Sequence, residues 1–245
     1  MRNLTPGRVA LFAALPFLIG GPLAEAASFK VAPVRVTMEV QQRSDVVTLT
    51  NSGSEDVSVQ ADPFLWTQDE SGADVYDDTD ELLIVPRIFS IPPGAAQVIR
   101  IGRMKPADPS RQRAYRVFFT ELAPPAEPGE SPGLRFRLRL GIPVFMNPET
   151  PAEPALELIR SGHVADGFEV VLKNTGLTHV QLLNFNSARV VGKGAHDITH
   201  PVGIYLLPNV TQRFVVPIPS DIRVATFTVE TDVAGTLEYA ARPRN

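Results

Sequence analysis

Histidines are frequent metal ligands, and one segment of this sequence places two of them close together. The stretch HDITH puts His196 and His200 four residues apart, a spacing that brings two ligands together on a helix. Gly192 and Gly194 precede the pair and Pro201 follows it, so a helix is not expected there. Without a helix the spacing loses its geometric meaning. We therefore predict no metal site at these histidines.

Carboxylates are concentrated in the segment DESGADVYDDTDE, residues 69–81, where they could in principle supply oxygen ligands to calcium. The segment lacks the regular alternation and the glycine of the calcium-loop template. Since charged runs are usually solvated, we predict an exposed hairpin loop. A nucleophile is equally hard to find, because the sequence has no cysteine, no Gly-x-Ser-x-Gly and only four histidines, all in its second half. The sequence predicts neither an enzyme nor a bound cofactor.

The strongest pattern is the stretch LRFRLRLGIPVF, residues 134–145, in which large apolar residues alternate with arginines. A period of two places the apolar side chains on one face of a strand and the arginines on the other. Two readings remain open, a strand that packs on its own core and an edge strand whose apolar face meets another protein. The second is favoured because the Pro- and Gly-rich segment PPAEPGESPG leads directly into the strand, and long apolar edges are unusual unless another protein covers them.

Elsewhere the sequence is made of short apolar and β-branched runs separated by Gly, Pro, Asn and Asp at intervals of about ten residues. Its 23 prolines and 17 glycines leave little room for long helices. The fold class predicted is all-β, with two immunoglobulin-like sandwiches. The Pro- and Glu-rich stretch MNPETPAEPALE indicates a linker, so we expect domains at 27–147 and 156–245 joined by residues 148–155. LTNSG at 49–53 and LKNTG at 172–176 end a strand in the same kind of turn in each half, a weak sign of duplication.

The first 26 residues have the features of a signal peptide, with Arg2 and Arg8 before an apolar run and the sequence AEA at its end. The run is too short, and interrupted by Pro16, to span a bilayer as a helix. Cleavage leaves 21 basic and 26 acidic side chains, a formal charge of −5. We expect an exported protein with no membrane insertion and no nucleic-acid partner.

Several segments, in this order and spacing, resemble the periplasmic chaperones of the chaperone-usher pilus assembly pathway. They are RVTM at 35–38, VVTLTNSG at 46–53, IPPG at 91–94 followed by VIRI, AYRVFFTEL at 114–122 and LRLGIPVF at 138–145. The resemblance covers nearly the whole mature sequence and is strongest from 28 to 148. It implies a boomerang of two immunoglobulin-like domains that caps incomplete pilus subunits with a donated strand and delivers them to an outer-membrane usher.

The resemblance also implies which residues would bind the subunit. The donor positions are Leu134, Phe136, Leu138, Leu140 and Ile142. Members of the family hold the subunit's C-terminal carboxylate on basic residues between the domains, a task for which the planar guanidinium is well suited. Arg35 matches an arginine of the first strand, Arg116 matches the anchoring arginine of the archaic branch, and Arg139 is a further candidate on the donor strand.

Two positions depart from the family pattern. Pro143 stands where many members have an anchoring lysine, and Gln112 stands where many have a glutamate in an interdomain salt bridge. The second departure leaves open how the domains are held at an angle. An alternative function, an exported immunoglobulin-like adhesin or carbohydrate-binding module, is expected to show an exposed aromatic platform, for which the single tryptophan, Trp66, offers little.

Overall fold

Short strands with alternating burial make up the structure, a computed structural model that describes residues 29–106, 108–123, 137–150, 153–191, 198–219 and 222–241. In these ranges every regular element is a β-strand. β-branched and aromatic residues at alternate positions favour this conformation because one face of each strand can be buried. No helix in the ranges described is long and apolar enough to cross a membrane.

Ten strands form the first sandwich, which comprises two sheets. They are β1 (Phe29–Ala32), β2 (Val36–Met38), β3 (Ser44–Asn51), β4 (Val57–Gln68), β5 (Asp74–Asp78), β6 (Leu82–Val85), β7 (Ile88–Ile91), β8 (Ala96–Arg103), β9 (Arg113–Glu121) and β10 (Arg139–Met146). One sheet has the order β1-β3-β8-β6, and the other has the order β2-β10-β9-β4-β5 with β7 also paired to β4. Side chains from both sheets form one core, which includes Leu49, Ile99, Val117, Phe119 and Val144.

Seven strands form the second sandwich. They are β11 (Leu156–Val164), β12 (Gly167–Asn174), β13 (Val180–Val191), β14 (Ile198–Leu206), β15 (Thr211–Val216), β16 (Arg223–Thr231) and β17 (Thr236–Ala240). The sheet β11-β12-β15 packs against the sheet β14-β13-β16-β17. Their shared core includes Phe168, Leu182, Phe185, Phe214 and Phe227.

The two Asn-x-Gly turns found in the sequence have the same geometry. In each, the buried asparagine donates its side-chain N–H groups to two main-chain carbonyls, and its oxygen accepts the N–H of the glycine two residues later. The carbonyl partners are Glu55 and Ile91 for Asn51, at 2.7 and 2.9 Å, and Thr178 and Leu206 for Asn174, at 2.8 and 2.9 Å. Each sandwich thus fixes one strand end with the same side chain and the same bonds.

The predicted fold class, all-β with immunoglobulin-like sandwiches, is confirmed. The predicted signal peptide lies outside the described residues, and the division at 27–147, 148–155 and 156–245 stays a prediction. The acidic segment 69–81, predicted as an exposed hairpin loop, contains the turn of the β4–β5 hairpin and the whole of the partly exposed strand β5, and it ends at Glu81, whose side chain is 14% exposed and bonds to Tyr115 and Arg113.

Candidate functional site

Among the residues that the structure describes, the N-terminal half of β10 has a neighbouring strand on one side only. β9 pairs with it from Arg139 to Met146, whereas β2 covers the other edge only from Val144 to Met146. The Glu121 N–H donates to the Leu138 carbonyl at 2.9 Å. Because backbone direction alternates along an antiparallel pair, the even-numbered residues of β10 turn their N–H and C=O groups toward β9, and the odd-numbered ones turn theirs to the other edge.

Pro143 lies on that other edge, directly opposite Arg116 in the register with β9. Proline has no N–H, and an unpaired edge is the place in a sheet where the loss costs no ladder bond. The uncovered part of the edge therefore offers the N–H and carbonyl groups of Arg139 and Gly141.

The apolar face of β10 changes from exposed to buried along the strand. Leu138 is 37% exposed, Leu140 is half-buried, and Ile142 is 1% exposed in the core of the first sandwich. Ile142, also a predicted donor residue, already packs against the protein's own core, so in this structure its side chain is not exposed to another protein. Leu134 and Phe136, the other two predicted donor residues, lie outside the described residues.

Arg116 projects from β9 on the opposite face of the sheet, at the point where the two sandwiches meet. Its guanidinium lies 4.0 Å above the ring of Trp66, and its nearest carboxylate, Asp74, is 3.8 Å away. The side chain is 14% exposed and its Nε is buried without a hydrogen-bond partner. Asp74 itself accepts from the Trp66 indole N–H and the Tyr76 hydroxyl, both at 2.9 Å. Arg116 is thus oriented by an aromatic face, and its Nε–H is left without a partner.

Arg35, just before β2, is engaged by a carboxylate of the second sandwich. Its guanidinium donates to Asp232, and the Asp232 carboxylate also accepts the Gln181 N–H at 2.8 Å. Burial alone would raise the pKa of Asp232, but the nearby His179 ring, the Gln181 N–H and the Arg35 guanidinium together lower it to about 2. The acid is therefore ionised at neutral pH and pairs with Arg35 across the junction.

Tyr205 of β14 lies next to both of these arginines. Burial raises the pKa of Tyr205, and the neighbouring Arg35 and Arg116 guanidiniums oppose that rise. Arg116 is 5.9 Å from the ring centroid of Tyr205, which packs edge-on against Trp66. The structure therefore brings two of the three predicted anchoring arginines to one phenol.

Arg139, the third predicted anchor, is exposed and lies over the ring of Phe118 at 3.9 Å. Phe64 and Tyr76 pack edge-to-face against the same ring. Gly141 makes room for it, because a Cβ there would lie 2.6 Å from the Phe118 ring. Since Arg139 covers one face of Phe118, this aromatic group is not the open stacking platform that the adhesin alternative requires.

Gln112 joins the two sandwiches through hydrogen bonds. Its side-chain oxygen accepts the His179 N–H at 3.0 Å and faces the His179 Nδ1 at 2.7 Å, while its nitrogen donates to Asn147 at 2.8 Å. Its own N–H donates to the Leu177 carbonyl at 2.8 Å. An amide with both donors and acceptors thus replaces an ion pair at this position.

An apolar contact and a second amide reinforce the junction. The His179 ring stacks on Phe145 with centroids 3.6 Å apart, and Trp66 and Leu207 belong to the same buried cluster. Gln68 donates to the Tyr205 carbonyl and accepts the Leu207 N–H, each at 2.9 Å. These contacts fix the end of the first sandwich that carries Arg116 against the second.

Sequence reasoning missed three residues of this site, His179, Tyr205 and Asp232. All come from the second half of the protein, where the family resemblance is diffuse. The unusual Gln112 was the available signal, since a glutamine replacing a charged residue has to find other partners.

The two histidines of HDITH are only partly described by the structure. His196 lies outside the described residues, and His200 lies on β14 opposite Phe185. Within the ranges described, no group of three or more His, Cys, Asp or Glu side chains could hold a metal ion.

Comparisons with known proteins agree with this architecture. The CsuC–CsuE chaperone and tip adhesion subunit complex, from archaic Csu pili of Acinetobacter baumannii, matches with a TM-score of 0.64 at 21% identity, over 89% of this chain and 100% of the other. The Salmonella enterica SafB chaperone with the SafA pilin gives 0.61 at 16%, over 89% and 98%, and the E. coli chaperone DraB gives 0.58 at 15%, over 89% and 100%. No curated protein sequence matches this one.

The family comparison is decisive. The model described as "Pili and flagellar-assembly chaperone, PapD N-terminal domain" matches residues 28–152, which is half of the sequence and contains β10, Arg35 and Arg116. This chain therefore belongs to the family of pili and flagellar-assembly chaperones with a PapD-type N-terminal domain.

Proposed function

We propose that this protein is an exported, non-enzymatic chaperone that captures pilus subunits by lending them β10 and hands them to an outer-membrane usher. The observation that carries the proposal is the edge of β10 from Arg139 to Pro143, which has no neighbouring strand among the described residues, beside a half-exposed leucine row. An unpaired edge of this kind is a template for another polypeptide.

Strand addition uses two features of β10. Its free N–H and C=O groups supply a hydrogen-bond ladder, and Leu138 and Leu140 supply side chains for an apolar groove on the subunit. Burying one such side chain is worth about 1.5–3 kcal/mol. Leu134 and Phe136 would extend the same row, since the period of two continues through them.

Arg116 is the main anchor for the subunit's C-terminal carboxylate in this proposal. Its planar fork can form two parallel hydrogen bonds with a carboxylate, and the surrounding Trp66 and Tyr205 rings exclude water, which strengthens a charge pair. Arg35, now paired with Asp232, is the second cation of the same site, and Arg139 is a peripheral one.

The periplasm is the compartment that this role requires, and the predicted signal peptide would deliver the protein there. The similarity to CsuC, a chaperone of archaic pili, and the Arg116–Pro143 pair support assignment to the archaic branch.

Co-purification tests the proposal. The protein would be tagged and co-expressed with the small exported subunits from neighbouring reading frames, as wild type and as Arg116→Ala. Breaking a buried ion pair typically costs about 3–5 kcal/mol, so capture by the variant should fall more than 100-fold. Arg100→Ala, on an exposed face of the other sheet, is the matched control and should capture normally. Equal recovery with Arg116→Ala, alone and combined with Arg35→Ala, would refute the anchoring role.

A further inference from the structure

Arg35 and Arg116 differ in whether a carboxylate of the protein already pairs with them. Arg35 already holds a carboxylate, that of Asp232 in the second sandwich, whereas the nearest carboxylate to Arg116 is 3.8 Å away. A carboxylate is also the group that the proposed ligand, the C-terminus of a subunit, would bring. The Asp232 carboxylate and the subunit's carboxylate can therefore form the same kind of ion pair with the Arg35 guanidinium.

Asp232 is the fixed member of this ion pair. One of its oxygens accepts the Gln181 N–H at 2.8 Å, and its own N–H donates to the Gln181 carbonyl at 3.1 Å, which fastens it to the end of β13. Its side chain is 9% exposed, compared with 35% for Arg35. The guanidinium, on a long side chain that water reaches, is the member able to change partner.

His179 is the other group facing Asp232, and its protonation state follows from a series of directional hydrogen bonds. Glu39 can only accept, so Asn147 donates to it with its amide nitrogen at 2.9 Å and turns its oxygen to Gln112. Gln112 must then donate to Asn147 with its nitrogen, which leaves its oxygen toward the His179 Nδ1. Nδ1 therefore carries the proton in neutral His179.

The consequence lies on the other side of the imidazole ring. The Nε2 of neutral His179 is a buried lone pair, 3.7 Å from the Asp232 carboxylate and without a hydrogen-bond partner. It offers Asp232 neither a proton nor a charge. Among the described residues, Arg35 is thus the only permanent cation paired with Asp232.

We propose that Asp232 is an internal competitor for the subunit's carboxylate, which occupies Arg35 until a subunit arrives and must be displaced for Arg35 to join the anchor. This inference rests on the proposed function and adds a regulation of its binding site. Because displacement leaves a buried carboxylate without its cation, Asp232 weakens capture and admits only ligands that bring a carboxylate of their own. Arg116, which needs no such exchange, engages first.

The test uses the full-length protein and two peptides of the subunit's last strand, one ending in a free carboxylate and one in an amide. Asp232→Asn removes the charge but keeps an oxygen for the Gln181 N–H, and Asp232→Ser repeats the test if the first variant melts early. We expect neutralisation to tighten binding of the free-acid peptide about tenfold and to leave the amide unchanged. In an Arg35→Gln background the tightening should disappear.

Unchanged or weaker binding of the free-acid peptide by a folded Asp232 variant overturns the proposal, and so does tightening that persists without Arg35. If neither variant folds, a measurement on the wild type tests the proposal instead. The Asp232 carboxyl carbon resonance should shift with the free-acid peptide and not with the amide, and an unshifted resonance overturns the competition. If the wild type binds neither peptide, the proposed function itself fails. Binding that depends on the carboxylate but not on Asp232 refutes only the competition.

Discussion

Leu138 and Ile142 project from the same face of β10, four residues apart, yet their side chains are 37% and 1% exposed. The boundary between the exposed and the buried part of this face therefore falls at the half-buried Leu140.

Glutamate substitutions on either side of this boundary should have opposite effects. Leu138→Glu keeps its carboxylate in water, so its unfolding free energy should change by less than about 0.5 kcal/mol, while subunit capture is lost. Ile142→Glu forces a carboxylate into packed core and should destabilise the fold by several kcal/mol. Thermal unfolding and co-purification of both variants check this. A large fall in the melting temperature of Leu138→Glu would mean that its face is ordinary core.

Gly141 should not tolerate even a methyl group. A Cβ there would lie 2.6 Å from the Phe118 ring and 3.3 Å from the Arg116 Cδ. Gly141→Ala should therefore lower the unfolding free energy by about 1–3 kcal/mol, the usual cost of overpacking. Gly102→Ala is the matched control, because its nearest contact would be 3.8 Å. Combining Gly141→Ala with Phe118→Ala should abolish the methyl group's effect, and a persistent loss would contradict the steric explanation.

Acid should weaken the junction in two stages. Burial lowers the pKa of His179 from 6.5, and Asp232 titrates at about 2 instead of 3.8. In both cases the unfolded state binds the proton more readily than the folded state. The contribution of each group to the unfolding free energy is therefore complete above its unfolded pKa and is lost as the pH decreases. We expect a first loss as the pH falls below about 6.5 and a second between about 4 and 2. Denaturant unfolding across this range measures both, and a His179 pKa of 6.5 or above by NMR would contradict the first.

Gln112→Glu provides the matched variant for the first stage. A carboxylate beside Nδ1 favours the imidazolium, so the His179 pKa should rise above its wild-type value. A pKa that stays unchanged would show that Gln112 is not the partner of Nδ1.

The duplicated turns predict equal penalties in the two sandwiches. Asn51→Asp and Asn174→Asp each remove the amide donor from two carbonyls at an almost fully buried position. Each should cost about 2–4 kcal/mol, because buried polar groups are left unsatisfied. Calorimetry of the two variants should show similar losses, and a silent substitution at either site would contradict the equivalence.

Sequence patterns identified the strands, the two-sandwich class and β10 because each depends on neighbours along the sequence. The end of the apolar row at Ile142 could not be found this way, since leucine and isoleucine keep the same period on both sides of the boundary. Whether a side chain near Ile142 is buried depends on how far the opposing sheet extends over β10. Likewise, Arg35 and Asp232 are 197 residues apart, and Gln112 and His179 are 67 apart. Only the packing of two domains brings such residues together.

Pro143 has a consequence for solubility in the absence of a client. Two copies of the protein meeting edge to edge would have to exchange N–H···O=C bonds along both strands, and Pro143 has no N–H to donate. β2 closes the edge again from Val144. An isolated two-stranded pair formed at this edge would be marginal in water. Homotypic fibril growth is thereby disfavoured, whereas in the proposed function a subunit with a groove for the leucines would supply the stability that a second copy could not.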